Sequence, residues 1–138
     1  MRTHNTIYQH ENVTIQHQTD KNNLRLEWKG DVSLPLYKDA LTHCLDYAQE
    51  HQVRKFLINQ TQLNQVPPEA QHWLMNEWFP AVEHSVAGTL SFGIVPSQLL
   101  YRRIASNKAA HQLRQSSQKS RVHYFKDESA ALNWLEEQ

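Results

Sequence analysis

The sequence is poor in residues that several kinds of functional site require. Among its 138 residues there is one cysteine and there are three glycines. One cysteine excludes a disulfide framework and a zinc site built from several thiolates. The glycines stand far apart, at positions 30, 88 and 93, so no glycine-rich phosphate loop is present. The Gly-x-Ser-x-Gly and His-Glu-x-x-His motifs are absent as well.

Long hydrophobic runs are also missing. The longest apolar stretch, Leu90 to Val95, is interrupted by Ser91 and Gly93, and it is far shorter than the ~18 residues of a membrane span. The first residues contain no apolar segment typical of a secretory signal. We therefore expect a cytoplasmic protein without a transmembrane segment.

The length and the composition favour one domain that covers residues 1–138. Apolar residues make up 39% of the chain, which is enough for one packed core under a polar surface. No repeat, low-complexity tract or Pro/Gly-rich linker divides the sequence. Two independent cores of half this length would be too small to be stable.

Alternating polar and apolar residues predict the strands. Residues 7–9 and 13–18 alternate weakly, and the apolar residues Leu24, Leu26 and Trp28 alternate with charged ones, which indicates an N-terminal antiparallel hairpin. Further strands are predicted over residues 53–59, 88–95 and 121–125. The segment 53–59 is apolar enough to be buried on both faces.

Helical periodicity predicts about four helices, over residues 34–51, 67–84, 98–115 and 127–137. Ser33 or Asp31 can cap the first helix, and Asp127 can cap the last. The alternation of strands and helices predicts an α/β fold. Its sheet is mixed and mainly parallel, with right-handed crossovers behind the hairpin.

Three segments carry a resemblance to a known superfamily. They are Leu-Glu-Trp-Lys-Gly at 26–30, Asn-Glu-Trp-Phe-Pro at 76–80, and the closing stretch from Val122 to Leu135. In these segments and in element order the chain resembles small bacterial proteins of the STAS-like superfamily, named after sulfate transporters and anti-sigma-factor antagonists. The resemblance implies a mixed sheet flanked by helices. The superfamily's phosphorylatable serine has no match here, since residues 59–69 contain no serine.

The second predicted helix has an unusually broad apolar face. On a regular helical wheel its apolar residues span roughly 240°, whereas packing on one sheet needs a little over ~100°. The excess can meet another part of the same chain, a second subunit or a ligand. We expect a homodimer, because Trp, Met and Phe are enriched at interfaces. The interface candidates are Trp73, Met75, Trp78, Phe79 and Val82.

Polar residues follow several of the predicted strands. Ligands of open α/β sheets bind at the carboxyl ends of parallel strands. The candidates for such a pocket are Asp31, Asn59, Thr61 and Ser97. They are neutral hydrogen-bonding groups and one acid, so they predict binding of a small polar molecule and provide no general base beside a nucleophile.

Charge is balanced in sum but not along the chain. Residues 84–126 contain seven basic and no acidic side chains. The basic patch centres on the third predicted helix, with Arg102, Arg103, Lys108 and Arg114. This patch can meet phosphates, anionic lipid or an acidic partner. Nucleic acid is not expected, because residues 98–124, around the third predicted helix, have only two aromatic residues, Tyr101 and Tyr124, for stacking.

No metal site, cofactor or catalytic residue is predicted. Nine histidines are scattered along the chain, and the helical pair Glu69 and His72 has no evident third ligand. Cys44 lies on the inner face of the first helix and is predicted to be a buried structural thiol. The sequence therefore favours a non-enzymatic protein-interaction or regulatory domain. A small-molecule or anionic-lipid binding module is the alternative.

Overall fold

Six strands form one mixed sheet in the order β1-β2-β3-β4-β5-β6 in the computed structural model, which describes residues 4–98 and 119–138. The first three strands pair antiparallel, and β3, β4, β5 and β6 pair parallel. The strands are β1 His4–His10, β2 Val13–Gln18, β3 Asn23–Asp31, β4 Lys55–Gln65, β5 Leu90–Val95 and β6 Ser120–Tyr124. The predicted mixed sheet with an antiparallel start is confirmed.

The described residues contain three helices at predicted positions. The first is α1, Leu34–His51. The second runs without interruption over residues 68–85 as α2 (Pro68–Trp73), a π-helical turn (Leu74–Trp78) and α3 (Phe79–Ser85). The last is α4, Glu128–Glu136. The third predicted helix, 98–115, lies outside the described residues except for its first position.

Local chemistry explains where the helices begin. The Ser33 side chain accepts a hydrogen bond from the Leu36 N–H, so Ser33 rather than Asp31 caps α1. Asp127 caps α4 in the same way, with its Oδ1 2.9 Å from the Ala130 nitrogen. Both capping residues have extended backbone, as N-caps require.

The sheet is covered on both faces. On one face, α1 and the helix over 68–85 pack on side chains that include Ile15, Leu26, Phe56 and Phe92. On the opposite face, α4 covers a smaller cluster formed by Leu57, Val95, Ala131 and Leu135. Successive residues of a strand point to opposite faces. Phe56 and Leu57 therefore serve different cores.

Gly93 of β5 allows α4 to approach the sheet closely. A Cβ atom at this position would lie 3.4 Å from the Cβ of Ala131 and 3.6 Å from the Cδ1 of Leu135. The glycine leaves the space that these two side chains fill. The helix can therefore pack directly on the strand.

Candidate functional site

The predicted strand-end region contains an open cleft of about 360 Å³. It lies where β3 leads into α1 and β4 leads into α2, so the carboxyl ends of two neighbouring parallel strands form it. We call it the strand-end cleft. Its lining residues are Asp31, Val32, Ser33, Gln65, Val66, Pro67 and Pro68. The backbone closes its base, because the Val32 N–H donates to the Gln65 carbonyl at 3.0 Å.

Three polar side chains line the strand-end cleft. Asp31 is held by Asn64, whose Nδ2 donates to the Asp31 Oδ1 at 2.5 Å. Ser33 uses its oxygen to cap α1, while Gln65 lies at the end of β4 with an exposed side chain. The cleft therefore offers one carboxylate, one hydroxyl and one amide against apolar walls.

Prolines shape the electrostatics of the cleft. A helix start usually attracts anions through its free N–H groups. Here Pro35, Pro67 and Pro68 occupy the starts of two helices, and proline has no N–H. With few backbone donors and the Asp31 carboxylate at the rim, the cleft favours a ligand that donates hydrogen bonds.

The structure brings one of the four predicted pocket residues, Asp31, into the cleft. Asn59 and Thr61 lie further back on β4, six and four strand positions from Gln65, which is roughly 20 and 13 Å. The Asn59 side chain is 8% exposed, and its Oδ1 accepts hydrogen bonds from the Thr61 N–H at 2.9 Å and hydroxyl at 2.7 Å. These two residues stabilise an irregularity of β4 where its register against β3 shifts.

Ser97 follows β5 and does not line the strand-end cleft. The basic patch, with Arg102, Arg103, Lys108 and Arg114, lies outside the described residues.

The π-helical turn resolves a conflict inside the second helix. Pro80 cannot donate a hydrogen bond, and in a regular α-helix its ring would meet the Asn76 carbonyl four residues earlier. The chain widens instead, and the Phe79 N–H donates to the carbonyl of Leu74, five residues back. The side chain of Asn76 donates to the His72 carbonyl at 2.9 Å.

The extra residue of this turn changes which side chains share a face. Each residue after the turn is rotated back by one residue spacing, about 100°. Trp78 and Val82 are thereby aligned with Ala70, and all three are buried. Apart from Met75, the apolar residues then span roughly 160° rather than 240°, so the expected excess of apolar surface is smaller.

Of the five interface candidates, Trp78 and Val82 are 2% and 0% exposed and belong to the core. The Trp78 indole N–H donates to the Leu41 carbonyl of α1 at 2.7 Å. Phe79 is half-buried against Phe92, with ring centroids 4.9 Å apart.

The two remaining candidates keep solvent-accessible surface. Trp73 is half-buried edge-to-face with Tyr37, and the Lys38 ammonium lies 5.8 Å from the centre of its ring. Met75 is 41% exposed. Trp73 and Met75 are two positions apart and lie on different sides of the helix, so they do not form one apolar surface.

The single cysteine lies in the main core. Cys44 is fully buried among apolar side chains, and this burial raises the pKa of its thiol. A high pKa keeps the sulfur protonated and unreactive. Across residues 4–98 and 119–138 no group of three His, Cys, Asp or Glu side chains could hold a metal ion. No helix in the same ranges is long and apolar enough to cross a membrane.

Six of the seven cleft residues were not predicted as pocket residues from the sequence: Val32, Ser33, Gln65, Val66, Pro67 and Pro68. The strand over 53–59 was expected to end at Asn59, but β4 continues to Gln65. Of its last six residues only Leu63 is apolar, so they lack an apolar alternation. They stay in the sheet because their backbone pairs with residues 29–31 of β3. The sequence feature that could have located the cleft is the Pro67-Pro68 pair at the start of α2.

Comparison with known proteins identifies the fold. No protein-family model and no curated protein matches the chain. Among solved structures, it is similar to an uncharacterised DUF3478-family protein with a SpoIIAA-like fold from Shewanella loihica, with a TM-score of 0.57 and 16% identity. The match covers 98% of this chain and 95% of that protein. The chain therefore has the SpoIIAA-like, that is STAS-like, α/β fold that the sequence resemblance implied.

Proposed function

We propose that the protein is a non-enzymatic interaction domain that works as a homodimer and binds a partner protein at the strand-end cleft. One observation carries the proposal: the cleft has Val and Pro walls and a single carboxylate, Asp31, already hydrogen-bonded to Asn64. Such a lining recognises shape and hydrogen-bond donors. It has no group arranged to transfer a proton.

The polar groups of the cleft support binding rather than catalysis. No His, Lys or Cys side chain is among the residues that line it. The Ser33 oxygen accepts the Leu36 N–H, and the one carboxylate of the lining, Asp31, accepts a hydrogen bond from Asn64. A serine-phosphorylation switch at the start of α2 is not part of the proposal, because the segment reads Pro67-Pro68-Glu69.

The chemistry of the cleft indicates its partner. Apolar walls accept an aliphatic or aromatic side chain, and the Asp31 carboxylate accepts a hydrogen bond from an amide or a basic side chain beside it. An extended polypeptide segment supplies both in adjacent positions. We therefore expect a partner segment with one apolar residue next to a hydrogen-bond donor.

Selection of random peptides displayed on phage tests this prediction. Peptides enriched on the wild-type protein should bind the Asp31→Ala/Gln65→Ala double variant about tenfold more weakly, because both polar contacts of the cleft are lost. Both residues are exposed, so the variant should keep its fold. The measurement is the affinity of each purified peptide by fluorescence anisotropy.

Glu50→Ala, an exposed substitution near the C-terminal end of α1, is the matched control and should bind as the wild type does. Equal affinity of the selected peptides for all three proteins would contradict the cleft as the recognition site. Failure to enrich any peptide on the wild-type protein would also contradict it.

A small polar molecule in the same cleft is a second candidate. The volume of about 360 Å³ is at the lower end of the range for small-ligand pockets. A thermal-shift panel of polyols, amines, nucleotides and anionic lipids shows which chemical class of ligand binds. We expect stabilisation by donor-rich neutral or amine ligands and none by phosphates at the cleft. A phosphate effect that vanishes with added salt would point to the basic patch instead.

A further inference from the structure

The carboxylate of Asp31, at the strand-end cleft, has no basic partner within residues 4–98 and 119–138. Its side chain contacts Asn64 by a hydrogen bond and forms no salt bridge. The lysines that flank it in sequence are engaged elsewhere. Lys29 lies 3.5 Å from a glutamate of β3, and Lys38 lies over a tryptophan ring of the second helix. A cation supplied by a partner therefore meets a negative charge that this chain leaves uncompensated.

Two irregularities of the backbone bring Asp31 and Asn64 together. Gly30, immediately before Asp31, has a left-handed φ of 67°, which residues with a side chain rarely adopt. The register between β3 and β4 shifts at the same place, so that Gly30 faces Leu63 and Asp31 faces Gln65. Asn64 is the extra residue of this bulge, and bulges re-aim side chains. The Asp31–Asn64 pair is thus built into the ends of both strands.

Asn64 leaves one oxygen of the Asp31 carboxylate for a ligand. The Asn64 Nδ2 lies 2.5 Å from Oδ1, and Oδ2 accepts no hydrogen bond from the described residues. A guanidinium binds a carboxylate best through two parallel N–H bonds, one to each oxygen. An ammonium is a compact charge that can bind through one oxygen. Because Asn64 crowds Oδ1, the pair favours an ammonium over a guanidinium.

We propose that the strand-end cleft binds a lysine side chain of the partner protein, and that Asn64 is the positioning residue that selects lysine over arginine. This inference rests on the proposed function and names the residue that the cleft recognises. The aliphatic stem of the lysine packs along the Val and Pro walls while its ammonium reaches the Asp31 carboxylate. The residues that line the cleft include no basic side chain that would repel it.

Peptides with a fixed central lysine test the inference. A phage library carries this lysine between randomised positions that exclude lysine and arginine. Peptides enriched on the wild-type protein are synthesised with an acetylated N-terminus, so that the lysine side chain carries the only ammonium group. Replacing the lysine with arginine should weaken binding at least about fivefold, and acetylating the lysine side chain at least about tenfold. Fluorescence anisotropy measures each affinity.

Asn64→Ala should bring the affinities of the lysine and arginine peptides within about twofold of each other, because both oxygens of Asp31 then become accessible. Asn64 is exposed, so the variant should keep its fold, which circular dichroism verifies. Gln62→Ala, an exposed substitution two residues earlier on β4, is the matched control and should keep the preference for lysine. A purely structural role of Asn64 would weaken both peptides equally and leave their ratio unchanged.

Three results would overturn the lysine inference alone. They are equal binding of the lysine and arginine peptides to the wild type, an unchanged ratio in Asn64→Ala, and enrichment from a fully random library but not from the lysine library. The cleft would remain the recognition site in each case, provided that Asp31→Ala/Gln65→Ala still weakened binding. If that double variant bound the selected peptides as the wild type does, the inference and the proposed recognition site would both fall.

Discussion

Replacing Trp78 with alanine should lower the free energy of unfolding by about 3–5 kcal/mol. The side chain is 2% exposed, packs edge-to-face with Phe56 and Phe92, and donates to the Leu41 carbonyl. Alanine leaves a cavity between α1, the second helix and the sheet, and it leaves a carbonyl without its donor. Urea unfolding followed by circular dichroism measures this loss. The dependence of the free energy of unfolding on urea concentration also shows whether the transition stays cooperative.

Trp78→Phe separates the two contributions. It keeps an aromatic ring and removes the indole N–H, so it should cost about 1–3 kcal/mol for the unpaired Leu41 carbonyl together with a reduced volume. If Trp78→Ala weakened self-association without changing stability, the residue would belong to an interface and its assignment to the core would be wrong. We expect stability to fall and association to change only as far as the fold is lost.

Leu135→Ala should lower the free energy of unfolding by about 2–5 kcal/mol. Leu135 is 1% exposed and is one of only four buried residues in the described cluster beneath α4. So small a cluster has few neighbours that can relax into the cavity. Amide hydrogen exchange read together with urea unfolding should show that protection of α4 is lost first.

Glu137→Ala is the control for this change. Glu137 is the exposed residue that follows α4, and its replacement should alter stability by less than about 0.5 kcal/mol. Equal protection of α4 in Leu135→Ala and Glu137→Ala would contradict a stabilising role of the smaller core. The prediction would also fail if Leu135→Ala unfolded at the same urea concentration as the wild type.

The sequence predicts the fold well where one face of an element is polar. The boundaries predicted for α1, 34–51, agree with the structure because its apolar stripe is unbroken and Ser33 supplies a cap. In β3, Leu24, Leu26 and Trp28 alternate with charged residues. The structure buries the first set and joins Arg25 to Glu27 and Glu128 on the other face.

The second helix marks the limit of that reasoning. A helical wheel assumes a constant rotation per residue, and the π-helical turn at Leu74–Trp78 breaks that assumption. The sequence contains the cause, since Pro80 conflicts with the carbonyl of Asn76. It does not say whether the chain will kink, end the helix or widen one turn. The broad apolar face predicted from the sequence results from applying a regular wheel to a helix that contains a π-helical turn.

The strand-end cleft could be predicted only in part. Asp31 was identified from its place after an alternating strand, whereas Gln65 and Val66 depend on how far β4 extends. That extension is stabilised by backbone pairing with β3, which does not select side-chain types. Asn59 and Thr61 have the residue types of a binding site, but they satisfy each other.

The glycine beneath α4 has a consequence for the alignment of the central strands. All six residues of β5 are buried, so hydrophobicity alone does not distinguish one alignment of β5 from another shifted by one residue. A shift would bring Phe92 or Ile94 under Ala131, where a Cβ atom alone already makes contact. Gly93 thus fixes the register of β5, whose other side chains would tolerate a shift by one residue.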